Sequence, residues 1–202
     1  LRRAPDVSQA CLAVYGAVTE PYVMSLRDLL GFIGSLEWRK NGMALDALKD
    51  LGDGRIHPHY GVFAPVRSEY IGLLEKAPFP ASINKQSLAF DIGTGTGVLA
   101  AVLAKRGIQK IVATDQDERA IECAAENIEG LGIGKQVKLL QTSLFPEGQA
   151  PLIICNPPWV PARPSSPIEY AVYDPESKML LAFLNGLNKS PPLKINNNYL
   201  IK

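Results

Sequence analysis

Asp91-Ile92-Gly93-Thr94-Gly95-Thr96-Gly97 sits between two apolar runs, Leu88-Ala89-Phe90 before it and Val98 to Arg106 after it. The first run has strand length and ends in glycines; the second is long enough for a helix and is closed by Gly107. The heptapeptide is therefore a strand-to-helix turn. At such a turn glycine alone takes positive φ without strain and leaves room for a ligand to approach the backbone. The helix start beyond it offers unpaired N–H groups and a partial positive charge, suited to a carboxylate or phosphate. Asp115 stands eighteen residues past Gly97, where the next strand, Lys110–Thr114, ends. A carboxylate at that point can take both hydroxyls of a ribose. Together these features describe a nucleoside-bearing cofactor.

The alternation continues outward. Glu118–Leu131 reads as a helix, Gln136–Gln141 and Leu152–Cys155 as strands, and Pro175–Leu187 as a helix with Met179, Leu180, Phe183, Leu184 and Leu187 on one face. A last strand is expected near Asn198–Ile201. Strand–helix alternation predicts an α/β fold built on a mostly parallel sheet with helices on both faces. Before residue 86 the texture is helical and interrupted. Val23, Leu26, Leu29, Leu30, Ile33 and Leu36 give helical spacing over 22–38, and 43–51 repeats it briefly until Gly52-Asp53-Gly54 stops it. Arg55 to Pro65 reads as extended or hairpin-like, Ser68–Lys76 as a short amphipathic helix, and Pro78 and Pro80 as a linker. The expected division is a helical N-terminal region, 1–80, and an α/β domain, 81–202.

Composition excludes several classes. The 202 residues carry 21 Lys plus Arg and 20 Asp plus Glu, so no global field drives nucleic-acid or membrane binding. The balance is also local: ten basic against nine acidic groups in 1–86, eleven of each in 87–202. No apolar run approaches the ~18 residues of a membrane span. Cys11, Cys123 and Cys155 are far apart without a C-x-x-C pair, which indicates neither a disulfide framework nor a zinc site and predicts a reducing, cytoplasmic setting. His57 and His59 are one residue apart, but no third ligand is evident, so no metal is expected.

Spacing decides among cofactors. A dinucleotide fingerprint, G-x-G-x-x-G, needs a glycine where Val98 stands, which disfavours a nicotinamide-dependent oxidoreductase; a phosphate cradle with Lys-Ser or Lys-Thr is absent. The pattern here is D-x-G-x-G-x-G, and an acid in the loop suits a cationic ammonium. It resembles motif I of class I S-adenosyl-L-methionine-dependent methyltransferases. The resemblance implies a Rossmann-like methyltransferase sheet. It also implies that Asp91, Gly93, Thr94, Gly95 and Gly97 face the methionine part of the cofactor and Asp115 its ribose.

The second signal is Asn156-Pro157-Pro158-Trp159, directly after the strand Leu152–Cys155. Two prolines stiffen the backbone and remove two donors, leaving carbonyls free beside an Asn amide and a Trp ring. Such a loop receives a flat group carrying –NH2. It resembles motif IV of the amino-methyltransferases, N-P-P followed by an aromatic residue. That group comprises DNA and RNA adenine-N6 methylases, certain guanine-N2 methylases and the release-factor glutamine-N5 methylases. The resemblance implies catalytic roles for Asn156, Pro157, Pro158 and Trp159, with Asn156 also beside the cofactor. Relatives often carry an Asp against the cofactor's adenine where this chain has Ser143; Leu144 would add a backbone N–H and an apolar face. His59-Tyr60-Gly61-Val62-Phe63-Ala64-Pro65-Val66-Arg67-Ser68-Glu69 looks like the loop that precedes motif I in the glutamine methylases, and equally reads as a hairpin packed on the α/β domain.

The resemblance, running from about Phe63 to Leu187, implies methyl transfer to a planar nitrogen of a macromolecule, a protein glutamine by preference, with the helical region selecting the substrate. An RNA or DNA base, and a non-catalytic S-adenosyl-L-methionine-binding module, stand as alternatives; the oligomeric state is not indicated. The proline-rich segment Val160–Tyr170 reads as a substrate lid, Arg163 as a contact for phosphate or an acidic partner, and Glu169 and Asp174 as secondary proton acceptors. The resembled sheet has seven strands, whereas only 43 residues follow Trp159, so the sheet is expected to be short of its closing strands.

Overall fold

The computed structural model describes residues 6–17, 20–164, 169, 171–189 and 199–201. Its centre is a parallel sheet of β3 (Leu88–Ile92), β4 (Lys110–Asp115), β5 (Val137–Gln141), β6 (Leu152–Cys155) and β7 (Tyr199–Ile201), in the order β5-β4-β3-β6-β7. The chain lays β3, β4 and β5 outward in one direction and then returns across β3 to place β6 on its other side. Ile92 pairs with Thr114 on one flank and with Cys155 on the other. The order therefore reverses between β3 and β6, the point at which open parallel sheets bind ligands beyond their carboxyl ends.

Both sheet faces are covered, as a parallel sheet requires. Ala89, Ile111, Ala113, Leu152 and Ile154 pack with α4 (Val98–Lys105) and α5 (Glu118–Gly130) on one side. Phe90, Ile92, Ile153 and Cys155 pack with Phe183 and Leu187 of α6 (Lys178–Lys189) on the other. This two-residue alternation is the period of the strand itself. Every residue of α4 from Val98 to Ala104 is buried, because the segment before the sheet covers its outer side. Leu45, Leu48, Ile56, Ile71 and Leu74, the last two on α3 (Glu69–Lys76), share one hydrophobic cluster with α4 and the sheet. Each such fully buried side chain stabilises the fold by roughly 1.5–3 kcal/mol. α1 (Val7–Tyr15) and α2 (Leu26–Asn41) instead form a small cluster of their own around Ala10, Phe32 and Leu36.

Two sequence expectations are corrected. Residues 43–51 are not a helix. Met43–Ala44 (β1) pairs antiparallel with Arg55–Ile56 (β2), and a single 3-10 turn, Asp46–Leu48, fills the gap. Gly42 at φ 65° ends α2 and turns the chain, and the pairing of Met43 with Ile56 and of Ala44 with Arg55 takes the first residues of the stretch into a hairpin. α1, with Ala10 its buried residue, is a helix that the sequence pattern does not predict. On α6, Phe183 and Leu187 are buried but Leu184 is 40% exposed, so the apolar stripe is narrower than its spacing suggested. The lid read into Val160–Tyr170 falls in part on 165–168 and 170, outside the described residues, as does the tail 190–198. No helix among the described residues is long and apolar enough to cross a membrane.

Candidate functional site

The glycine loop follows β3 and is held from beneath. Asp91 is fully buried; its Oδ2 accepts from the Thr94 hydroxyl at 2.6 Å and from the Ala100 amide at 3.1 Å, while Oδ1 is buried with no partner. The carboxyl thus ties the loop to the first turn of α4. Gly93, Gly95 and Gly97 all have positive φ, 71°, 55° and 81°. The last two differ in their reason for being glycine. A Cβ on Gly97 would meet Cβ of Ala124 at 3.3 Å, whereas one on Gly95 would meet nothing within 4 Å. Gly95 therefore borders open space, and Gly97 lets α5 approach. Asn127 of α5 adds a strut that no local pattern signals: its side chain donates to the Thr96 carbonyl at 3.0 Å and accepts from the His57 amide at 2.7 Å.

Asp115 ends β4 beside this loop. Its Oδ2 accepts from the Gly95 amide at 3.0 Å and its Oδ1 from the Asp117 amide at 3.0 Å. The residue before it, Thr114, is fully buried; its carbonyl accepts from the Thr94 amide at 2.8 Å, and its hydroxyl donates to the Leu144 carbonyl at 2.6 Å. Leu144 sits at φ 66°, a left-handed conformation that costs a branched residue roughly 1–2 kcal/mol. Its side chain is partly buried against the hydrophobic cluster that contains Phe90, Ile92 and Phe183, and Ser143 next to it stays exposed. The sheet thus brings Ser143 and Leu144 to the same edge as Asp115 and the glycine loop.

Asn156-Pro157-Pro158-Trp159 leaves β6 at that edge, one residue past the Ile92–Cys155 pair, so Asn156 lies alongside Gly93. Pro157 is buried, Asn156 is half-buried with no side-chain hydrogen bond among the described residues, and Trp159 is 56% exposed. The Trp159 ring meets Phe63 edge-to-face, centroids 6.1 Å apart at 86°. Phe63 belongs to the segment between β2 and α3, so that segment reaches the site, and no local pattern announces this contact. The amides of Trp159 and Val160 both donate to the Val172 carbonyl at 3.0 Å, and the Asp174 amide donates to the Val160 carbonyl at 2.7 Å. Asp174 is buried, and its two carboxylate oxygens accept from the amides of Met179 and Leu180 at 2.9 and 3.0 Å. It caps α6 rather than facing the site as a proton acceptor; the Asp-Pro pair at a helix start was the signal for this. Arg163 is exposed.

The rings of His57 and His59 bond to α2 and α5. Nδ1 of His57 is 2.7 Å from the Arg39 carbonyl, and Nε2 of His59 is 2.7 Å from Glu126, whose other oxygen pairs with Arg39 at 2.9 Å. They join α2 to α5, and no group of three metal-ligating side chains occurs among the described residues.

Electrostatics set the site's polarity. Burial, reinforced by the Asp115 charge and opposed by the Thr94 and Ala100 hydrogen bonds, pushes the Asp91 carboxyl up to about 7. Burial also raises Asp115, against its hydrogen bonds to the amides of Asp117 and Gly95, and raises the Cys155 thiol, with Asp91 and Asp115 adding to the effect. Two carboxyls held in a poorly solvated place favour a cationic ligand. The open face at Gly95, the unpartnered Oδ1 of Asp91 and this surplus of acceptors suit a nucleoside carrying positive charge.

Comparison with known proteins agrees with the geometry. A family model described as ribosomal protein L11 methyltransferase (PrmA) matches residues 71–157. The ribosomal protein L11 methyltransferase of Pelotomaculum thermopropionicum is 38% identical over 86 residues, covering 42% of this chain and 26% of the relative. The release factor glutamine methyltransferase of Cereibacter sphaeroides is 35% identical over 120 residues, covering 56% of this chain and 38% of the relative. The matched stretches thus span between a quarter and two fifths of these relatives' lengths. The crystal structure of ribosomal protein L11 methylase from Lactobacillus delbrueckii subsp. bulgaricus superposes with a TM-score of 0.50 at 22% identity, over 69% of this chain and 61% of that one. Strand order, helical cover on both faces and this likeness together establish that the chain has the class I S-adenosyl-L-methionine-dependent methyltransferase fold.

Proposed function

We propose that this chain transfers a methyl group from S-adenosyl-L-methionine to a planar nitrogen of a protein, with a glutamine side-chain amide the favoured acceptor. One observation carries the reading: the glycine loop after β3 and Asn156-Pro157-Pro158-Trp159 after β6 leave neighbouring, hydrogen-bonded strands at the sheet's switch point. Gly93, Thr94, Gly95 and Gly97 would hold the methionine part, Asp115 the ribose, and Ser143 and Leu144 the base. Asp91, enclosed behind the loop, acts on the ligand's positive charge through space. Bound there, S-adenosyl-L-methionine supplies an electrophilic methyl on a sulfonium that departs as a neutral thioether.

An amide nitrogen is a poor nucleophile because its lone pair is delocalised into the carbonyl. The Asn156 side-chain oxygen and the Pro157 carbonyl accept its two N–H hydrogens and favour a more pyramidal nitrogen. That interaction strengthens as the new N–C bond forms, so it lowers the barrier rather than only binding the substrate. Trp159 stacks on the planar group and aims it. The nitrogen, acidic once alkylated, loses its proton to solvent. The helical N-terminal region, 1–80, selects the substrate.

A protein acceptor is favoured over a nucleic-acid base by the chain's balanced charge and by the two curated relatives, whose names specify a ribosomal protein and a release factor. The test is transfer of labelled methyl from S-adenosyl-L-methionine into cell extract, followed by nuclease or protease digestion. Label that resists nuclease and is released by protease is expected. Label removed by nuclease overturns the protein reading. Binding of the methyl donor with no labelling of any fraction overturns catalysis in favour of a binding module.

A further inference from the structure

Thr114 is fully buried one residue before the site carboxylate Asp115, yet its hydroxyl and its carbonyl are both spent on loops beyond the sheet. The carbonyl takes the Thr94 amide of the glycine loop at 2.8 Å. The hydroxyl gives its proton to the Leu144 carbonyl at 2.6 Å, within the loop that follows β5. Leu144 is one of few non-glycine residues with positive φ among the described residues, at 66°. Backbone in that state persists only where its surroundings hold it. Two devices do so here: the partly buried Leu144 side chain packs against the hydrophobic cluster that contains Phe90, Ile92 and Phe183, and its carbonyl is fixed by Thr114. A second backbone bond, from the Thr142 amide to the Asp115 carbonyl at 2.9 Å, fixes the other end of the same short loop. Ser143, between these two anchors, is left exposed at the site edge.

We infer that Thr114 is a positioning residue for the methyl donor: it sets the Ser143–Leu144 loop and the glycine loop at one separation, so that donor binds to a preformed rather than a collapsing edge. The inference rests on the proposed S-adenosyl-L-methionine site. It assigns Thr114 no contact with ligand; the residue acts through Ser143 and Leu144.

The test is calorimetric titration of the whole chain with S-adenosyl-L-homocysteine, the stable product of methyl transfer, at a temperature where all variants are folded. Thr114→Val keeps the side chain's shape and removes the donor, so the dissociation constant is expected to rise roughly tenfold. Thr114→Ser restores the hydroxyl and should bind within about threefold of wild type. Because Thr114 works through the Ser143 loop, Ser143→Ala should weaken binding several-fold in wild type but less than twofold in the Thr114→Val background. Should Thr114→Val not fold, Thr114→Cys, with a weak thiol donor in similar volume, is expected to show the same loss. Binding by Thr114→Val or Thr114→Cys within twofold of wild type overturns the inference, as does a Ser143→Ala effect undiminished by the first change. If wild type binds neither the product nor the methyl donor, the proposed cofactor site is what has failed, and the inference falls with it.

Discussion

The Asp115 carboxylate holds the Gly95 amide with one oxygen and the Asp117 amide with the other, each at 3.0 Å, so the end of β4 is tied to the apex of the loop that follows β3. Both bonds come from backbone, and they fix the plane of the carboxylate before any ligand arrives. Asn at this position has one acceptor oxygen and no charge, so it leaves one of the two amides unpaired. Asp115→Asn is expected to weaken methyl-donor binding about 10- to 100-fold, the range set by a lost hydrogen bond to a charged group. Calorimetry on the variant checks this; unchanged affinity would remove the ribose role.

The Asn-Pro-Pro-Trp element separates chemistry from stability. Asn156 has no side-chain partner among the described residues, so Asn156→Ala costs the fold little, yet its oxygen is assigned to the developing charge at nitrogen. Methyl transfer is expected to fall by roughly 10²- to 10³-fold, as for loss of one preorganised polar group. Trp159→Ala should instead raise the acceptor's KM. The ring is 56% exposed and has Phe63 as its ring partner, so thermal unfolding should shift by little. Steady-state kinetics and a melting curve on the two variants distinguish the roles.

Asp91 gives a pH signature. In the unfolded chain its carboxyl ionises near pH 4; burial raises it to about 7 in the fold. Between those values the folded chain retains a proton that the unfolded chain has lost. The stabilisation is therefore fully present below about pH 4 and lost as pH rises through 7. Its total is on the order of 4 kcal/mol at ~1.4 kcal/mol per pH unit. Asp91→Asn, neutral throughout, should show a flatter dependence. Melting temperatures at pH 5.5 and 8 measure the difference; parallel curves for the two proteins would contradict it.

Gly95 and Gly97 should fail in different assays. Gly97→Ala forces a left-handed alanine against Ala124 at 3.3 Å, and a loss of roughly 1–3 kcal/mol in stability is expected. Gly95→Ala carries only the backbone strain at φ 55°, but its methyl projects into open space at the site. Its main effect should be on donor affinity. Denaturant unfolding and ligand titration of both variants test the contrast.

What was legible in the chain was whatever is local. Leu152–Cys155 is a strand because four apolar residues meet a double proline, and the turn at Gly93–Gly97 needs its glycines at fixed steps. Leu45, Leu48 and Leu51 repeat every third residue and so imitate a helix; Gly42 and the pairing of Met43 with Ile56 decide otherwise. The ring contact between Phe63 and Trp159, the Asn127 strut and the Thr114 hydroxyl on Leu144 join residues 30 to nearly 100 positions apart, and no short-range pattern encodes them. Asp174 is acidic and close in sequence to the site, which suggests chemistry; burial and two helix amides make it architecture.

The pairing of Ile92 with Cys155 works as a ruler. Adjacent strands lie about 4.8 Å apart whatever their side chains. The two loops that leave this pair inherit that interval from main-chain hydrogen bonds, not from the flexing of Thr94, Asn156 or Trp159. Replacing residues on either loop changes what that loop presents; the interval between the two loops stays the same. With the interval stored in the backbone, the loop side chains can differ while the gap that the proposed methyl transfer would cross stays fixed.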